Sequence, residues 1–366
     1  MIKRADYIDV GAGIMILWMI TFHALLSTYR LDSFAISELS LNITTLKNGW
    51  GVYLPKSPVV LFPYLHFFMP WFFYKSGQFF SKRDSYSLLV KDWKKLLTPF
   101  LLWSFVGYVF FVVFCCMDGS FSIRKVTLDV LSTLFFDGHV SINGPLWFLL
   151  TLFLVRQVAN VILPSTNDKY YWPKIISIVL IGSCAAYAFW HWKIKNLPLW
   201  IINGTTGFVF YALGYSMHKY ETKWWLIVPC AMCYIVCCVW GFSVVGMRTN
   251  VLLTPNKLYI LNIPECFAGI VVFNVCCRIA VEYCHKYLHW LLAPLKVVGS
   301  YAMVIYVTHA LLYKSVVNIT MIYKLGAVIP YTLWIILGLY IVFLPLFCYV
   351  SRLITFQKQP SAPCNE

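Results

Sequence analysis

Apolar residues in this chain come in long unbroken runs rather than in an alternating pattern. About ten runs approach the ~20 residues that an α-helix needs to cross hydrocarbon. They lie at 10–29, 58–80, 97–116, 145–163, 174–192, 199–217, 224–244, 258–279, 297–317 and 328–350. A membrane barrel would show shorter segments of alternating polarity. The pattern predicts an all-α integral membrane protein, a bundle of about ten transmembrane helices. One domain is expected over 1–356, with no internal repeat and no soluble module. The tail 357–366 holds Pro360 and Pro363 and is expected to be disordered.

Composition sharpens this class. The chain is 60% hydrophobic and 12% charged, against about 25% charged in average globular proteins. The net charge of +15 could suggest nucleic acid, but orientation explains it better. With the N-terminus in the cytoplasm, Lys82, Arg83, Lys91, Lys94 and Lys95 fall inside with Lys3 and Arg4. Outer loops then carry Asp32, Glu38, Asp118, Asp129 and Asp137. Arg124, Lys125, Lys193 and Lys195 run against this bias. An even number of spans puts both termini in the cytoplasm. No nucleic-acid partner is expected; the lipid bilayer is. Most of the thirteen cysteines lie in the apolar runs. Cys230 and Cys233 have metal-like spacing but no second ligand cluster, so they are read as packing residues and no metal site is expected. The first run lacks a small-residue cleavage site and is read as a retained span.

Ionisable residues inside apolar runs are costly, and each is a functional candidate. His23 lies deep in the first run. A lone intramembrane histidine often serves only an interhelical hydrogen bond. A neutral imidazole is also a suitable general base near neutral pH. Helical geometry puts Ala12 within about 20° of His23 and ~16 Å from it along the axis. Asp9 lies on nearly the same face. Lys75 sits in the second run beside Ser76-Gly77; it either snorkels to the interface or holds an anion. His66 and Pro70 precede it. Lys94 and Lys95 form a basic stretch that reads as a membrane anchor or a phosphate seat. Trp147 opens the fourth span after Asn143-Gly144-Pro145-Leu146. Glu265 and His309 lie in the eighth and ninth. Together these residues predict a polar interior. The loop 30–57 carries Trp50 and Tyr53 and could line the mouth of a pocket or remain a plain solvated loop.

In order along the chain, these residues resemble the membrane acyltransferase-3 family of sugar and polysaccharide O-acyltransferases. The resemblance rests on Tyr7-Ile8-Asp9 before His23, then Met69-Pro70, Phe72-Phe73 and Ser76-Gly77. It continues with Lys94-Lys95-Leu96-Leu97 and Pro99, then Leu146-Trp147-Phe148-Leu149. Tyr211, Leu213 and Gly214 follow, then Gly299-Ser300-Tyr301 with Tyr306 and His309. The Tyr-Ile-Asp opening is most similar to the fucose-acetylase-like subgroup.

The resemblance implies transfer of an acetyl or other short acyl group from acyl-CoA to a hydroxyl of a carbohydrate or cell-surface glycan. Acyl-CoA would be a donor substrate, with no bound cofactor. The implied location is the cell (cytoplasmic) membrane. His23 is the implied essential residue, with Asp9 and His309 as further catalytic candidates. Lys75, Lys94, Lys95 and Trp147 are candidates for acyl-CoA. His66, Ser76 and Glu265 are candidates for acceptor binding or orientation. Two positions depart from the family. A basic residue usually stands eleven places before the histidine, where this chain has Ala12; Phe68 stands where a histidine often precedes Met-Pro. Two other readings remain open from the residues alone: a carrier for a polar solute or lipid-linked sugar, and a non-catalytic acyltransferase-like partner. The acyl chain, the acceptor and the oligomeric state are not readable from the chain.

Overall fold

The computed structural model describes residues 6–29, 45–47, 53–55, 62–140, 142–192, 197–242, 245–246, 251–252, 261–323 and 335–340. The tail, most of loop 30–57 and most of the tenth apolar run lie outside the described residues. Each of the first nine runs holds a helix: α1 (Asp6–Tyr29), α2 (Phe68–Gln78), α4 (Thr98–Met117), α6 (Trp147–Ile162), α7 (Tyr171–His191), α8 (Leu199–Met217), α9 (Trp224–Trp240), α10 (Asn262–Glu282) and α12 (Ala302–Ile322). Between them lie α3 (Ser85–Asp92), α5 (Ile123–Asp129) and α11 (His285–Ser300). Five described helical stretches are long and apolar enough to cross a membrane: Ser85–Met117, Gly144–Ile162, Tyr171–Phe189, Asn262–Glu282 and Ala302–Ile319. Two short antiparallel pairs, Thr45–Lys47 with Tyr53–Pro55 and Val245–Gly246 with Val251–Leu252, add strands that the hydrophobic pattern did not predict.

The basic stretch before α4 is helical. Trp93–Leu97 forms a π turn in which the Thr98 amide reaches back to the Trp93 carbonyl. Pro99 has no amide to continue an ordinary ladder at the next position, which favours a wider turn here. Asp92, at the start of this turn, is buried and accepts hydrogen bonds from Arg156 Nε at 2.9 Å and Gln157 Nε2 at 3.1 Å. A charge buried this deeply needs such partners. Thus α3 is pinned to α6.

Two glycine-mediated crossings organise the bundle. α1 packs most closely against α11, where Gly13 faces the Leu295 carbonyl and Gly299 faces the Asp9 carbonyl. α2 packs on α8 in the same way, with Gly77 against Tyr211 and Gly214 against Tyr74. Small residues allow such approach, and dispersion between the helices replaces contact with lipid. The sequence pattern treats 285–296 as a connection; it forms α11, whose Leu292 and Gly299 are buried. Aromatic side chains fill the centre. Phe73 meets Phe148 edge to face at 4.8 Å, and Phe148 meets Tyr306 at 5.3 Å. Cys237 is a buried free thiol of this core, and Cys230 is one of a smaller cluster with Leu226, Ala268 and Val271.

Candidate active site

α1 and α12 bring His23 and His309 together. Their ring centroids are 5.2 Å apart. Tyr313, one turn beyond His309, stacks on His23 at 5.8 Å with planes 6° apart. His23 is half-buried and His309 is fully buried. His309 Nδ1 lies 2.7 Å from the Tyr306 carbonyl oxygen. A carbonyl only accepts, so Nδ1 carries the proton and donates. Nε2 is then the lone-pair nitrogen, and it is buried with no hydrogen-bond partner among the described residues.

A polar frame holds the His309 segment of α12. The Tyr306 hydroxyl donates to the Pro145 carbonyl. Asn143 Nδ2 donates to the Val307 carbonyl at 3.0 Å. Thr308 Oγ1 lies 2.9 Å from the Tyr340 hydroxyl, which donates to the Ile305 carbonyl at 3.1 Å. The first two contacts come from the tight 3-10 turn before α6, which presents the Asn143 side-chain amide and the Pro145 carbonyl, itself also accepting from the Trp147 amide, to α12.

Trp147 follows that turn. It is buried and packs edge-on against Phe148, so its surroundings are those of a core side chain rather than an open ligand contact. Asp9 is half-buried on α1, fourteen residues before His23. That places it about 21 Å away along the axis. Asp9 thus lies toward the Tyr7 end of α1, away from the histidine pair.

Lys75 is also placed differently from the expectation. Its head group turns inward instead of snorkelling. It is buried at 5% exposure, its Nζ 3.5 Å from Glu221 Oε1 and 2.9 Å from Gln78 Oε1. Asn274 Nδ2 donates to the same Glu221 oxygen at 3.1 Å, and Trp71 Nε1 donates to Asn274 Oδ1 at 2.9 Å. The anion that Lys75 meets is therefore this chain's own carboxylate. Ser76 is half-buried beside Gly77. Lys94 and Lys95 are exposed on the π turn.

His66 and Glu265 belong to another cluster. His66 is buried, and its Nε2 lies 3.3 Å from Cys266 Sγ. Glu265 is buried next to that cysteine, in the first turn of α10.

Sequence reasoning missed Tyr313, Glu221, Asn274 and Arg278. Tyr313 had a signal, the i+4 spacing from His309 that puts both on one helix face. Glu221 had none, since it lies in a short connection after α8 that reads as solvated.

An imidazole pair on two long helices, one ring fully buried and held in a fixed tautomer and the other half-buried, is a candidate proton-transfer centre inside a membrane bundle. Comparison with known proteins assigns the class. The family model described as the Acyltransferase domain, acyltransferase-3, matches residues 5–353. The chain belongs to this family and is a membrane acyltransferase. No curated protein and no solved structure matches it.

Proposed function

We propose that this protein transfers an acetyl or other short acyl group from acyl-CoA to a carbohydrate hydroxyl, in the manner of the fucose-acetylase-like subgroup, in the cytoplasmic membrane. The meeting of His23 and His309 carries the reading. In this reading ten helices span the bilayer and both termini face the cytoplasm, as the lysine distribution favours. Donor would enter from the cytoplasm and acceptor from the other side.

The chemistry follows from the rings. A neutral imidazole of the pair removes the proton from the acceptor hydroxyl. The oxygen forms a bond to the thioester carbonyl carbon, the carbon–sulfur bond breaks, and the CoA thiolate takes the proton back. A positioned general base contributes roughly 10²–10⁴-fold to such a step. His23 is the better placed to meet substrate, being half-buried. His309, with its proton fixed on Nδ1 by the Tyr306 carbonyl, offers Nε2 to accept a proton or to orient the partner ring. An acyl-histidine is the alternative course on the same residues. The exposed Lys94 and Lys95 draw a polyanionic donor toward the cytoplasmic face.

Transfer of label from radiolabelled acetyl-CoA to membrane glycans, compared between wild type and His23→Ala, tests the proposal. Label from the wild type alone is expected. Equal transfer by a folded His23→Ala protein would remove His23 from the chemistry.

A further inference from the structure

A second charged cluster lies at the opposite end of α1, and its charges do not balance. Two cations share one ring. Lys75 Nζ is 5.2 Å from the centroid of Tyr7, and the Arg278 guanidinium carbon is 4.6 Å from it. Among the described residues the one carboxylate that forms an ion pair with either cation is Glu221, which is 2% exposed; Glu282, one turn on from Arg278, is exposed and makes no ion pair with it. Its Oε1 is taken by Lys75 and Asn274. Arg278 forms no ion pair among the described residues. It donates to the Tyr7 hydroxyl at 3.1 Å.

An uncompensated guanidinium, half-buried on α10, is costly within a membrane bundle. No carboxylate among the described residues balances it, and an anion from outside the chain would. A guanidinium has five donors in a planar fork suited to two oxygens of one group. One donor is committed to Tyr7, and the ring beneath fixes the plane. Tyr7 also fixes the location, since it is sixteen residues before His23 on the same helix, about 24 Å along the axis. An anion held here therefore belongs at the far end of an elongated ligand whose other end reaches the histidines.

We propose that Arg278, positioned by Tyr7 and backed by the Lys75–Glu221 pair, is a phosphate-binding residue. On the reading above, which supplies the identity of the ligand, the phosphate is that of the acyl-CoA donor. The charge at this end of the molecule is then provided from α10 rather than from α1, where Ala12 has none to give. A phospholipid headgroup offers the same chemistry from a second source.

The test uses the full chain in nanodiscs of neutral lipid. Arg278→Ala should weaken binding of labelled CoA by about tenfold or more, the loss of one charge-assisted bidentate contact. Arg278→Lys should keep the fold and recover part of the binding. In transfer assays KM for acetyl-CoA should rise by about the same factor while kcat stays within about twofold. Acetyl-pantetheine, which has no phosphate, should be used equally by wild type and Arg278→Ala. Unchanged CoA binding in both variants would overturn the proposal. So would an equal loss with acetyl-pantetheine, since that marks a structural role. Phenylglyoxal modification of Arg278 in the wild type separates this proposal from the acyltransferase reading. Protection by phosphatidylglycerol but not by CoA would keep the phosphate seat and remove acyl-CoA as its occupant. Protection by neither would remove the seat.

Discussion

Gly299 stands against the backbone of Asp9. A methyl group at 299 would lie 1.7 Å from the Asp9 carbonyl oxygen and 2.8 Å from the Gly13 amide nitrogen. The contact is reciprocal, since a methyl at Gly13 would lie 2.1 Å from the Leu295 carbonyl oxygen. These atoms are backbone and cannot rotate away, so α1 and α11 must separate. Gly299→Ala is expected to cost about 3 kcal/mol, the upper end of overpacking. Thermal unfolding in detergent measures it. Gly338→Ala meets nothing within 4 Å among the described residues and serves as the neutral control.

His309→Asn keeps a side-chain donor toward the Tyr306 carbonyl and removes the ring nitrogen that faces the site. Transfer should fall by about 10²–10⁴-fold if this nitrogen handles the proton, with little change in unfolding temperature. A parallel loss of both would mean that His309 is a packing residue.

Lys75 and Glu221 form a pair that should cost less to lose together than the loss of Lys75 alone. Lys75→Met leaves a buried carboxylate facing Asn274 alone among its hydrogen-bond donors. The expected destabilisation is about 3–5 kcal/mol. Adding Glu221→Gln should recover much of it, because no unpaired charge is left buried. A double-mutant cycle reads the coupling directly; additive losses would show that the pair is not coupled.

Outside the membrane, Asp168 is held below the usual carboxylate range by the Lys174 ammonium and then by the Tyr170 amide. Its folded form is the more acidic. The stability it adds is therefore present above the unfolded value and is lost as pH falls through the lower folded one. Asp168→Asn should flatten the acid limb of a melting profile below about pH 4. An unchanged limb would show that the contact contributes nothing measurable, the common outcome for an exposed pair.

The helices were legible because a bilayer forces long apolar runs, and no surface pattern competes with that signal. α11 was not, because its Lys286 and Lys296 and its internal Pro294 resemble a basic connection. His23 and His309 were legible as rare ionisable residues in apolar runs. Their meeting was not, since one sequence carries no information on which helices are neighbours. Lys75 shows the same limit: its burial was readable, but its partner lies 146 residues away in an unremarkable turn.

The two histidines also set an order in time. The helix that carries His23 leaves the ribosome well before the one that carries His309. At typical synthesis rates roughly 290 residues separate their appearance by about 15–60 s. Through that interval the first imidazole waits in the membrane without the ring it will face. A chain terminated before residue 309 lacks the second ring and, on the function proposed above, is expected to transfer no acyl group.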